Sequence, residues 1–172
     1  TIEEIDSVRY ISNYSSGKMG VALADCAYSQ GADVILVSTV ETQKPYRVVK
    51  VKSAQEMEEA VNKEFDGATC IIMAAAVADY RAKEIVNHKM KKTEQNEISV
   101  QLVKNPDILK NLCQRKSEDS PIIIGFCAES ENLLQNAKEK ITRKGCDFLV
   151  ANDISRKDIG FSSDYNEVSI LK

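Results

Sequence analysis

A chain of 172 residues lies close to the ~150 residues of an ordinary single domain and is short for two. Its 23 Lys and Arg against 26 Asp and Glu give a net charge of −3, without the basic surplus of a dedicated nucleic-acid binder. A hydrophobic content of 43% with 28% charged residues belongs to a folded globular protein rather than a disordered one.

The longest unbroken apolar stretch, Cys70 to Ala78, is far below the ~20 residues of a membrane-spanning helix, and Thr1 does not open a signal peptide. The expectation is a cytoplasmic protein with neither membrane nor nucleic-acid partners. Five cysteines (Cys26, Cys70, Cys113, Cys127 and Cys146) form an odd set without a C-x-x-C pair, which reads as reduced core residues. His88 is the single histidine, so histidine metal sites and Cys/His nucleophiles lose their support.

In chain order, a polar opening is followed by a helix over 17–30, with Val21, Leu23, Ala24 and Ala27 on adjoining faces and Gly31 past its end. DVILVSTV, from Asp33 to Val40, is β-branched and reads as a buried strand, and RVVKVK after Pro45 as another. Ser53 and Glu56 form a capping box for a helix to about Phe65. Strands are expected over 69–76 and, with edge-like alternation, 98–103. Asn105 and Pro106 predict a cap and first-turn proline for a helix to about Arg115. A strand over 122–127, a helix over 132–144 closed by Gly145, and strands over 147–151 and 167–171 complete the chain. This alternation predicts an α/β, three-layer Rossmann-like fold with a mainly parallel sheet, whose ligands bind beyond the carboxyl ends of the strands.

Polar residues at those exits are the candidates for chemistry. Asn13 to Gly20 (NYSSGKMG) opens the first helix with hydroxyls, Gly17 and free amides that suit an anion; an ordinary serine cap answers the spacing equally. The segment is neither G-x-G-x-x-G nor a P-loop. Ala74 to Tyr80 (AAAVADY) ends a strand with small residues, letting a flat ligand approach the backbone beside Asp79; tight packing with a solvated Asp is the plainer alternative. Lys89 to Lys92 (KMKK) reads either as a mobile lid for a polyphosphate or as a solvated charge run. Lys140 and Lys144, four apart, share a helix face beside Arg143; an ordinary solvated face, favoured near a helix carboxyl end, is the stronger reading of that spacing alone. Val103 to Pro106, Gly125-Phe126 and Ala151 to Asp153 mark further strand exits, and their coincidence points to a nucleotide-sized site.

The ordered set from Asp6 through Arg9 and Asn13 to Gly20, then AAAVADYR, KMKK, VKNPDIL, GFCAE and VANDIS, spans nearly the whole chain. It resembles the phosphopantothenate–cysteine ligases, the synthetase half of the bifunctional bacterial coenzyme A biosynthesis enzyme. The resemblance implies that 4′-phosphopantothenate is activated by CTP, with Mg²⁺, to an acyl-cytidylate that L-cysteine captures. It implies catalytic roles for Asn13 and Lys89, with Lys91 and Lys92 supporting the lid. Nucleotide contacts are implied at Met73, Ala74, Ala75, Asp79, Lys89, Val103, Lys104, Asn105, Pro106, Phe126, Lys140 and Lys144. Substrate contacts are implied at Asn13, Ser15, Ser16, Gly17 and Ala76; metal ligands are not assigned. It further implies a homodimer formed near 83–103 and a fused or partner decarboxylase, with no FMN bound by this half. Against the family pattern, a first strand ahead of Thr1 and a last helix after Leu171 are missing, so residues 1–172 are expected to be a single nucleotide-binding ligase domain without them. A non-catalytic nucleotide-binding module and an NAD(P)-dependent Rossmann oxidoreductase remain as alternatives, the latter without its glycine fingerprint.

Overall fold

The computed structural model describes residues 1–91, 97–129, 131–155 and 165–172. Its main sheet is built from apolar, β-branched-rich runs: β5 (Cys70–Met73), β8 (Ile122–Glu129) and β9 (Phe148–Asp153) run parallel, with β10 (Val168–Leu171) antiparallel outside β9. A second parallel pair joins β3 (Ile35–Ser38) to β4 (Arg47–Lys50). The sheet is mostly parallel and flanked by helices, as the alternation of elements predicts.

Helices α1 (Lys18–Ser29), α2 (Ala54–Glu64), α3 (Ile108–Gln114) and α4 (Leu133–Lys144) alternate with these strands. Met57 and Val61 of α2, Ile108 and Leu112 of α3, and Ala137 of α4 meet Ile123, Leu149 and Ala151 in one core, because i and i+4 share a helix face while alternate strand residues share a sheet face. Each Leu or Ile buried there contributes about 1.5–3 kcal/mol. Ser53 caps α2 by accepting from the Glu56 amide at 3.2 Å, while the Glu56 carboxylate reaches back to the Lys52 amide at 2.6 Å. The reciprocal half of the capping box lands one residue earlier than the motif predicts.

Four features differ from the sequence reading. The polar opening contains a hairpin, β1 (Ile2–Glu4) with β2 (Tyr10–Ser12), and Tyr80–Ala82 forms β6, antiparallel to β7 (Leu102–Lys104). Three-residue strands show no period of their own, and β6 and β7 are joined only through a long connection. The strand expected over 98–103 is accordingly confined to Leu102–Lys104. Helix α3 starts two residues late, capped by Asp107, whose Oδ1 accepts from the Lys110 amide at 3.1 Å, since the Asn105 side chain is committed elsewhere. Of the five free cysteines, Cys127 and Cys146 are buried but Cys26 and Cys70 are exposed, so the core reading holds for only part of the set.

Gly125 in β8 pairs with Met73 of β5, and a Cβ there would lie 2.7 Å from Leu109 Cδ2 and 3.0 Å from Leu149 Cδ1. The glycine lets α3 approach the sheet. Gly125→Ala is expected to lower unfolding stability by about 1–3 kcal/mol through overpacking, read from urea denaturation; an unchanged midpoint would show that α3 moves aside freely.

Candidate functional site

A cleft of about 460 Å³ opens where β5 and β7 give way to loops. Met73 and Phe126 supply apolar surface from the sheet, Ala75 with Val77 to Tyr80 one wall, and Lys104 to Leu109 the other, with Lys140 and Lys144 reaching in from α4. A flat apolar surface beside two ammonium groups suits a base joined to phosphates.

Asn105 ties the two walls together. Its amide donates to Asp79 O at 2.8 Å, its Nδ2 to Ala78 O at 2.8 Å, and its Oδ1 accepts from Arg81 Nη1 at 3.3 Å. Lys144 pairs with Oδ2 of Asp107. Burial pushes the Asp107 carboxyl up, but Lys144 and the Lys110 amide outweigh it and hold the group below the ordinary range. Lys140 sits one turn earlier beside the Cys127 thiol, which burial pushes up. Burial likewise raises the Cys113 thiol to about 11, so neither sulfur offers a thiolate near neutral pH.

Of the expected nucleotide contacts, Met73, Ala75, Asp79, Lys104, Asn105, Pro106, Phe126, Lys140 and Lys144 line this one cleft; Ala74, Val103 and Lys89 do not. Ala74 lies between two lining residues, and Val103 pairs with Arg81 in the β6–β7 ladder. Neither Asn13 nor the 15–17 turn lines the cleft, but Asn13 Nδ2 donates to Ala76 O at 3.1 Å, which joins it to the wall. Gly17 precedes α1 at φ +73°, and a Cβ on it would lie 2.6 Å from Val40 Cγ2. The loop carrying Val40 is in turn tied to α1 by Asp25, which accepts from Lys44 Nζ at 2.6 Å and Tyr46 Oη at 2.7 Å. Lys92 falls outside the described residues, while Lys89 and Lys91 are exposed.

Val77, Ala78, Tyr80 and Asp107 to Leu109 also line the cleft and are absent from the expected contacts. The Asp107–Lys144 pair spans 37 positions, a separation that no local motif reports. Asp6 and Arg9 stand in the quoted motif but without a role, and the structure supplies one as an anchor. Asp6 has no exposed side-chain surface and pairs with Arg9 at 2.5 Å.

The Arg9 guanidinium, against an opposing effect of burial and with help from the Val8, Met90 and Arg9 amides, holds the Asp6 carboxyl far below the carboxylate range. A depressed folded-state value stabilises the fold above the unfolded carboxyl pKa of about 4 and is lost as pH falls through the folded value. Urea unfolding from pH 6 to 2.5 should therefore steepen below about pH 4, and Asp6→Asn should flatten that slope. Equal slopes would remove Asp6 from the acid response.

The chain matches the DNA/pantothenate metabolism flavoprotein C-terminal domain family over residues 1–172. It belongs to that family. It is 43% identical over 176 residues to the coenzyme A biosynthesis bifunctional protein CoaBC of Escherichia coli strain K12, covering 99% of this chain and 43% of that protein. Borreliella burgdorferi CoaBC is 42% identical over 175 residues, covering 99% of this chain and 44% of that protein. The chain thus spans less than half the length of these bifunctional relatives. A crystal structure of the C-terminal domain of CoaBC superposes with a TM-score of 0.76 at 37% identity, covering all of this chain and 81% of that one. Membership in the flavoprotein C-terminal domain family agrees with the observed sheet and its flanking helices. No group of three or more His, Cys, Asp and Glu able to hold a metal occurs among the described residues, and none of their helices is long and apolar enough to cross a membrane.

Proposed function

We propose that this chain is a phosphopantothenate–cysteine ligase acting in coenzyme A biosynthesis. A carboxylate oxygen of 4′-phosphopantothenate attacks the α-phosphorus of CTP, the α–β anhydride bond breaks, and pyrophosphate leaves. The cysteine amine then attacks the acyl carbon, an amide bond forms, a proton is lost and CMP departs. Activation is needed because a free carboxylate has no adequate leaving group.

The single observation that carries the reading is the convergence of nine expected contacts on one cleft with Lys140 and Lys144 at its side. Family membership supports the same chemistry. In this reading Met73 and Phe126 receive the base, Lys140 and Lys144 offset the triphosphate charge, and Asn13 orients the acyl-nucleotide at the rim. The work is positioning and charge stabilisation, with no covalent enzyme intermediate. Among the described residues Asp79 is the cleft carboxylate with no lysine partner, and it fits an ion that takes one or two carboxylates and completes its shell with phosphate and water, as Mg²⁺ does. When bound, the ion would neutralise triphosphate charge.

The reading is tested by incubating the chain with CTP, Mg²⁺, 4′-phosphopantothenate and cysteine and following products by mass. Phosphopantothenoylcysteine, CMP and pyrophosphate in equal amounts are expected; CTP binding without turnover would instead leave a non-catalytic nucleotide module. A thermal-shift series should show CTP raising the melting temperature more than ATP, GTP or NAD at equal concentration, because a ligand selective for the folded state stabilises it. Equal shifts would contradict CTP as the preferred nucleotide.

Tyr10, Tyr80, Ile85, Ile98 and Leu102 are exposed on and around the β2 and β6–β7 strands. A second copy is the proposed occupant of that apolar surface, and light scattering at micromolar concentration should give twice the chain mass. A fused or partner decarboxylase is proposed from the bifunctional relatives.

A further inference from the structure

Asp6 is buried although its neighbourhood is a short hairpin connection, and a buried carboxylate is costly unless its lone pairs are engaged. Its two oxygens have different partners. Oδ1 accepts from the Val8 and Arg9 amides at 2.9 and 2.8 Å, closing the turn between β1 and β2. An asparagine could do as much. Oδ2 accepts from Arg9 Nε at 2.9 Å, from Arg9 Nη2 at 2.5 Å and from the Met90 amide at 3.1 Å.

Arg9 Nη2 also donates to Met90 O at 3.2 Å. One ion pair therefore grips the Met90 peptide at both its N–H and its carbonyl. Four residues earlier, the Val86 amide donates to Ile5 O at 3.1 Å. Asn87, His88 and Lys89 are exposed and form a short loop pinned at both ends to the first hairpin, with Lys89 next to the stronger pin. Asn13 follows β2 of the same hairpin. The two residues expected to be catalytic thus hang from one support.

Resting on the ligase reading, we propose that Asp6 is a positioning residue for the activation step: through Oδ2 and Arg9 it fixes the Met90 peptide, and with it the point from which Lys89 reaches the nucleotide. It touches neither substrate nor reacting atoms.

Asp6→Asn separates the two duties, because the amide oxygen keeps the turn while the amide nitrogen can only donate. Losing a charge-assisted acceptor should speed hydrogen exchange at the Met90 amide by about tenfold, with the Val8 and Arg9 amides unchanged. The single-turnover rate with CTP and 4′-phosphopantothenate should fall about tenfold, while capture of preformed acyl-cytidylate by cysteine keeps its rate. In a Lys89→Gln background the same substitution should cost nothing further in the first step, since residues acting through one another are non-additive. Unchanged Met90 exchange, full additivity, or loss of protection at Val8 and Arg9 together with Met90 would each overturn the proposal. If the unsubstituted chain releases no pyrophosphate, the ligase reading fails, while the exchange contrast still decides whether Asp6 holds the segment.

Discussion

Lys89→Gln is expected to slow acyl-cytidylate formation about a hundredfold, the scale on which removing one preorganised electrostatic group acts. The attack places negative charge on the α-phosphate oxygens and on departing pyrophosphate, and a neutral amide cannot offset either. Lys140 and Lys144 remain in the cleft, so CTP should still bind and the loss should fall on the rate of the step rather than on nucleotide affinity. Rapid-quench measurement of pyrophosphate in the absence of cysteine isolates that step. An unchanged first-step rate would remove Lys89 from the mechanism.

Asn13→Asp is expected to act on the other half of the reaction. The Asn13 amide donates to the Ala76 carbonyl at 3.1 Å; a carboxylate would place a second acceptor against it. Rim geometry beside Ala75 and Val77 would be lost, and the anionic acyl-cytidylate would meet a like charge. A lost hydrogen bond of this kind, with the repulsion that replaces it, is worth about 2–3 kcal/mol, or about 30–150-fold in rate. Cysteine capture should slow by that factor and the acyl-cytidylate should accumulate on the protein, visible by mass after acid quench. Equal slowing of both steps would indicate general damage and contradict a specific role.

What the sequence makes legible follows from how far each interaction reaches along the chain. Helix α1 shows in the spacing of Val21, Leu23, Ala24 and Ala27, α2 in its Ser53 and Glu56 capping box, and the parallel strands in β-branched runs such as Ile122 to Ile124; all are local signals. The β1–β2 and β6–β7 pairs are not legible, because strands of three residues are too short to show alternation, and Tyr80–Ala82 also owes its pairing to a partner well along the chain. The displaced α3 cap has the same origin: Asn105 is a good cap by type, but its amide serves Ala78, 27 positions earlier. Likewise the motifs named most of the cleft, whereas the Asp107–Lys144 pair and the Asp6–Arg9 grip on Met90 arise only when distant segments meet.

The central claim is that the cleft between the β5 and β7 exits receives the nucleotide, and amide hydrogen exchange during a CTP titration tests it most directly. Protection should rise at residues 73–79, 103–109 and 126 and saturate together with CTP concentration, with no comparable change around Phe65 and Arg115 at the far end of β8. Protection that appears there, or that leaves the cleft amides unchanged at saturating CTP, would contradict the account.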